Sequence, residues 1–128
     1  MAINCESSIM RAPGAVDLRP SEGCFIILDA SGNLTLATAN EPAPLGCIIT
    51  PGDKGDETDY ALPNYPGSVY VRLHDTAGTV NVGTSLVLAG SGKVKAGPVG
   101  TRVAVALEKG ENGALIAARL AEPLVVTA

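Results

Sequence analysis

The chain has 128 residues, the length of one domain, and 46% of them are hydrophobic, which excludes an intrinsically disordered protein. With one Phe, three Tyr and no Trp, its core must be aliphatic. The formal net charge is −4 and the basic residues are scattered, which excludes the basic stripe with stacking aromatics of a nucleic-acid binder.

Residues 1–22 are predicted to form an extended N-terminal arm. The first six residues have neither the basic nor the apolar region of a signal peptide, so none is predicted there. Pro13-Gly14 and Arg19-Pro20 interrupt the segment. Between these breaks, residues 15–18 are the one stretch in which an edge strand is expected.

A β-hairpin follows the arm. Residues 24–28 form a continuous apolar run, residues 29–33 have the composition of a turn around Gly32, and residues 33–36 alternate between polar and apolar. The apolar run is too short to cross a membrane. Residues 45–50 are predicted to form another strand, which Pro51-Gly52 ends.

Residues 53–59 are polar and are predicted to form a loop or the start of an exposed edge. Residues 67–74 alternate, with Val69, Val71 and Leu73 on one face, as in a half-buried strand. No window of a dozen residues carries helical apolar spacing without a Gly or Pro, so little helix is expected.

The chain contains an internal duplication. Residues 23–34 align with 83–94 through a leading Gly, a Leu before the turn and the Ser-Gly turn itself. A Pro-apolar-Gly step then recurs at 44–46 and 98–100, and residues 69–73 align with 116–120.

One such unit of about four strands cannot cover its own apolar face, whereas two packed units can. The predicted fold is therefore all-β: a small internally duplicated β-barrel or β-sandwich (tulip-like) with an extended N-terminal arm and little helix. Residues 23–128 are predicted to form a single β domain whose repeats span about 23–75 and 83–120.

Catalytic chemistry has few candidate residues. His74 is the one histidine and follows a predicted strand, where a solvent-facing turn position is expected. Residues 90–93, Gly-Ser-Gly-Lys, lack the preceding Gly and following Ser or Thr of a phosphate-binding loop. No catalytic or cofactor-binding residue is predicted, and the chain is not expected to be an enzyme.

Metal binding and disulfide formation are not expected either. In the acidic segment 53–59, Gly55 and Thr58 occupy positions at which a calcium loop needs a ligand and a glycine. Cys5, Cys24 and Cys47 cannot all pair, and the last two lie in apolar runs, where reduced cysteine acts as a small core hydrophobe.

A further pattern lies in residues 82–88, Gly92-Lys93-Val94, residues 98–108 and residues 115–120, with the strand at 44–49 as a companion in the first half. In this pattern the second half of the chain resembles the capsid cement (head decoration) proteins of tailed phages. The resemblance covers roughly residues 23–120 as a progression of strands and turns. Arg102 departs from the small or apolar residue usual at the start of its strand.

The resemblance implies a protein without chemistry of its own that binds the outer surface of the expanded icosahedral capsid and stabilises capsomer contacts. Its expected partners are the major capsid protein and further copies of itself, with a trimer favoured. It would be made in the host cytoplasm and located on the outside of the virion. The residues expected to contact the capsid are Ile3, Ile9, Met10, Val16 and Leu18.

An alternative is a small β-barrel carrier or ligand-binding domain similar to lipoyl and biotinyl domains. Their modified lysine lies at a hairpin tip, and Lys93 is one residue past such a tip. Gly92 and Val94 replace the flanking residues expected in those carriers.

Overall fold

The structure, a computed structural model, describes residues 8–127 and is all-β, as predicted. Ten strands in the described residues form two antiparallel five-stranded sheets, joined by loops and one 3₁₀ turn at Arg19–Ser21. The strands are β1 (Ile9–Pro13), β2 (Phe25–Leu28), β3 (Leu34–Leu36), β4 (Gly46–Thr50), β5 (Glu57–Ala61), β6 (Ser68–Arg72), β7 (Ser85–Gly90), β8 (Lys93–Ala96), β9 (Gly100–Ala106) and β10 (Leu115–Val126). No helix within residues 8–127 is long and apolar enough to cross a membrane.

The two sheets repeat one topology. The first unit, β1 to β5, has the strand order β1-β5-β4-β2-β3, and the second unit, β6 to β10, has the order β6-β10-β9-β7-β8. The hairpin and the Pro-apolar-Gly strand therefore correspond between units, as the sequence predicted. The third predicted correspondence, between residues 69–73 and 116–120, was wrong. These segments lie in β6 and β10, which pair with each other in one sheet, and β6 is instead the counterpart of β1, which pairs with β5.

Each sheet curls until its two edge strands meet. Just after β1, Gly14 forms a parallel bridge with Leu34 of β3, and just after β6, Leu73 forms the equivalent bridge with Val94 of β8. Each sheet therefore wraps around an interior of its own, and the wrapping accounts for the separate apolar cluster of the first unit.

Strands β2 and β4 are buried on both faces. Ile26 and Ile48 point into the first unit, whereas Phe25 and Cys47, which pair directly, face the second unit. A strand covered on both sides needs a continuous apolar run instead of an alternating one, which explains residues 24–27, whereas Leu28 at the end of β2 is 47% exposed. Burying a side chain such as Phe25 stabilises the fold by about 1.5–3 kcal/mol.

The seam, the contact between the two units, depends on backbone atoms at Gly92. The Phe25 N–H donates to the Gly92 carbonyl (2.7 Å) and the Gly92 N–H donates to the Ala37 carbonyl (2.8 Å). A Cβ at Gly92 would lie 2.6 Å from the Phe25 carbonyl oxygen and 2.8 Å from the Cys24 Cβ. Only glycine allows this approach, and the tip of the β7–β8 hairpin is thereby fixed against the first unit.

A second glycine supports the seam from the first unit. The Gly23 N–H donates to the Ile48 carbonyl (3.1 Å), and the Arg72 N–H donates to the Gly23 carbonyl (3.0 Å). Gly23 thus connects β4 of the first unit with β6 of the second. Its backbone has φ +82° and a Cβ there would lie 2.6 Å from Leu115 Cδ2.

The N-terminal region and the polar loop differ from the sequence predictions. The edge strand is Ile9–Pro13, and residues 15–18 form a bend followed by irregular chain, because the chain turns at Gly14 and brings the Leu18 N–H to the Gly52 carbonyl (3.0 Å). Strand β1 belongs to the first sheet, whereas the division into an arm (1–22) and a β domain (23–128) stays a prediction.

The polar residues 57–59 belong to β5, which lies inside the sheet between β1 and β4 and not at an edge. Their polar groups are satisfied there: Thr58 accepts the Gly52 N–H at 2.9 Å, and Asp59 pairs with Arg11 across the strands. A polar inner strand is tolerated because Thr58 and Asp59 have partners and the Glu57 side chain is exposed to solvent.

The thiols of Cys24 and Cys47 are free and buried at the seam, as predicted for core positions. The Cys47 Sγ lies 3.6 Å from the Tyr70 carbonyl oxygen of the second unit. Burial is the main cause that raises the pKa of both thiols, most strongly for Cys47. Both therefore remain protonated in the folded protein and do not act as nucleophiles.

Replacing Gly92 by alanine tests the seam. We expect Gly92→Ala to lower the free energy of unfolding by at least about 3 kcal/mol, because the added Cβ meets backbone and the left-handed conformation penalises alanine. Gly32→Ala is the matched control, since Gly32 has φ +81° at the equivalent hairpin tip and nothing within 4 Å of a Cβ. It should cost about 1–2 kcal/mol. If urea denaturation showed the same loss of stability for both variants, the proposed role of Gly92 in the contact between the units would be contradicted.

The raised thiol pKa predicts a loss of stability at alkaline pH. Below the ordinary thiol pKa near 9, the thiol keeps its proton in both the folded and the unfolded chain, so the protein has its full free energy of unfolding. Above it only the unfolded chain releases the proton, so the free energy of unfolding falls by up to about 1.4 kcal/mol per pH unit and per thiol. Denaturant titrations between pH 8 and 11 should show a smaller pH dependence in Cys47→Ala than in the wild type. An unchanged dependence would show that Cys47 ionises without unfolding.

Candidate functional site

The predicted contact residues of the N-terminal region are only partly at the surface. Ile9, Met10 and Val16 are 42%, 45% and 46% exposed. Leu18 is completely buried in the interior of the first unit, so its assignment as a contact residue is corrected: it is a core residue. Ile3 lies outside the described residues.

Strand β1 places Ile9 and Met10 at the edge of the first sheet. It pairs with β5 over all five of its residues, and Ile9, Met10, Arg11 and Asp59 line a shallow depression. The Arg11 Nε donates to Asp59 Oδ1 at 2.7 Å and fixes the two strands side by side. An edge strand with exposed apolar side chains is the kind of surface to which a partner adds a strand.

The acidic residues near β1 do not form a metal site. Arg19 forms a bidentate ion pair with Asp17, in which Nε and Nη2 each lie 2.9 Å from a carboxylate oxygen. The same Nη2 lies 3.4 Å from Asp53 Oδ2. The hydrogen bonds from Arg19 lower the pKa of Asp17. The structure groups no three metal-ligating side chains within residues 8–127.

The His74 ring makes its hydrogen bonds within its own turn. Its Nδ1 accepts the Thr76 N–H at 3.2 Å and lies 2.9 Å from Thr76 Oγ1, so this nitrogen serves as a local cap. The next residue, Asp75, forms an ion pair with Lys93 (Asp75 Oδ1 to Nζ, 3.5 Å). Both contacts of the His74 Nδ1 therefore lie within its own turn.

The hairpin tip before Lys93 is packed against the first unit. Gly92 is buried in the seam, and the Lys93 side chain is 28% exposed. A phosphate-binding loop needs backbone N–H groups that point at the ligand, whereas the Gly92 N–H donates to Ala37. This segment therefore has a structural role.

A cleft at the seam was not found by sequence reasoning. It has a volume of about 150 Å³ and is lined by Glu22, Ile48, Ile49, Tyr65, Ser68, Val69 and Tyr70. Its walls come from both units, so no local motif marks it. The one available signal was the presence of two of the three tyrosines within six residues, at 65 and 70.

Comparison with known proteins places this fold beside a phage head protein. No family model and no curated protein match the chain. Among solved structures it is similar to the head fiber gp8.5 N base of bacteriophage phi29, with a TM-score of 0.64 and 18% sequence identity, over 91% of this chain and 96% of that one. The likeness shows a shared fold.

Proposed function

We propose that the chain is a non-enzymatic phage head decoration protein that binds the outer surface of the expanded capsid and stabilises capsomer contacts. The observation that carries the proposal is the fold likeness to a phage head fiber base over 91% of the chain. The independent resemblance of the strand and turn progression to cement proteins supports the same role.

In this proposal the duplicated domain is a rigid scaffold, and the N-terminal region makes the contact. Ile3, Ile9, Met10 and Val16 supply apolar side chains that dock against the major capsid protein. Residues 1–22 then act as the contact arm of a single domain. Because many copies bind one shell, weak individual contacts suffice.

The same proposal includes self-association, with a trimer favoured, on the outside of the virion. Its non-enzymatic character is supported by how the reactive groups are used: the His74 Nδ1 accepts a backbone N–H of its own turn, and burial raises the pKa of the Cys24 and Cys47 thiols.

The carrier alternative is less well supported. A carrier lysine must leave its domain at an exposed hairpin tip to reach an enzyme active site. Here Gly92, which precedes the lysine, is buried and hydrogen-bonded to Phe25 and Ala37, and Lys93 is paired with Asp75. A mass increase on Lys93 after expression with the host ligases would favour the carrier instead.

Binding to purified expanded heads of the phage that encodes the chain tests the proposal. We expect the wild-type protein to sediment with the heads. The double variant Met10→Glu/Val16→Glu should bind at least about tenfold more weakly, because charges replace apolar contacts that a partner must desolvate.

Val82→Glu is the control, since Val82 lies in the second unit, before β7, and is 65% exposed. It should bind like the wild type. If the wild-type protein stayed in the supernatant, the decoration function would be wrong. If all variants bound alike, the contact would lie outside the N-terminal region.

A further inference from the structure

The cleft at the seam is lined by a carboxylate residue, Glu22, whose backbone is held in place. Glu22 directly precedes Gly23, whose N–H and carbonyl are bonded to β4 and β6 respectively. Because Gly23 cannot be replaced without a clash, the backbone beside Glu22 is held between the two units. The backbone of Glu22 is therefore held by the same Gly23 hydrogen bonds that join the two units.

Glu22 has no counter-ion among the described residues. No side-chain hydrogen bond or ion pair involves it within residues 8–127, although Arg72 lies on the strand that the Gly23 carbonyl joins. The Arg72 guanidinium instead donates to the Gly113 carbonyl at 3.1 Å. The cleft thus presents a negative charge on a chain whose net charge is already −4.

The other walls of the cleft are aromatic and aliphatic. Tyr65 and Tyr70 contribute rings, Ile49 and Val69 contribute aliphatic surface, and Tyr70 is 57% exposed. Tyrosine faces attract cations through their π-electrons, and aliphatic surface covers the methylene stem of a long basic side chain.

We propose that this cleft binds an arginine side chain of a partner protein. The stem lies along the aliphatic wall, the guanidinium plane stacks on a tyrosine ring, and its N–H groups donate to the Glu22 carboxylate. Arginine fits better than lysine because its planar fork both stacks and forms two parallel hydrogen bonds with a carboxylate. The volume of about 150 Å³ is sufficient for one side chain.

The inference deepens the proposed function, because it names the chemistry of a second contact that a capsid protein would supply at a distance from β1. It can be tested without a capsid. N-acetyl-arginine amide is the probe, and its neutral isostere N-acetyl-citrulline amide is the matched control ligand, each followed by the ring resonances of Tyr65 and Tyr70 in NMR titrations.

We expect saturable shifts of both tyrosines with the arginine probe. Binding of the citrulline probe, and binding of the arginine probe to Glu22→Gln or Tyr70→Leu, should be at least about fivefold weaker, as expected for loss of a charge-assisted or cation–π contact. Glu111→Gln removes an exposed charge elsewhere and should leave binding unchanged. Thermal unfolding of each variant confirms that it is folded.

The absence of a saturable shift, or equal binding of arginine and citrulline, would overturn the assignment, as would unchanged binding in Glu22→Gln. Arginine binding by a protein that does not sediment with heads would overturn the proposed function and leave the cleft assignment intact. Sedimentation with heads without arginine binding would overturn the cleft assignment and leave the proposed function intact.

Discussion

Contact between the two units is set by backbone hydrogen bonds at Gly92, with Phe25 on one side and Ala37 on the other. The close approach lets Phe25, Cys47 and Ala61 of the first unit join the core of the second. With one Phe and no Trp, the chain has little large apolar surface to bury, so it depends on bringing two small sheets within direct contact. Gly23 connects the same seam to β6 and at the same time sets the position of Glu22.

The scaffold and the surfaces proposed to contact a partner are different parts of the molecule. Most apolar residues of the duplicated strands are buried inside each unit or in the seam, and polar groups such as those of Thr58 and His74 are satisfied locally. The proposed contacts are the edge strand β1 with Met10 and the cleft beside Glu22, while Val82, Leu124 and Val125 are further exposed apolar residues in the second unit. In the proposed function these contacts bind through shape and a few side chains, which suits attachment in many copies to a shell.

The sequence predicted the fold class, both hairpins and the strands after the Pro-apolar-Gly steps, because glycine turns and apolar runs are local signals. It missed β5 because the polar residues 57–59 are satisfied by partners distant in sequence, such as Arg11. It placed Leu18 at the surface because a short apolar segment between Gly and Pro gives no periodicity from which burial can be inferred. The sequence could not predict the cleft either, because Glu22 and Tyr70 are distant in sequence and come together only at the seam.

Hydrogen–deuterium exchange of the protein bound to expanded heads, compared with the free protein, tests the central claim most directly. The account predicts slower exchange on binding in β1 and in the segments that line the cleft, with the β7–β8 hairpin unchanged because the seam already protects it. Protection confined to the second unit, with β1 and the cleft exchanging as in the free protein, would contradict it.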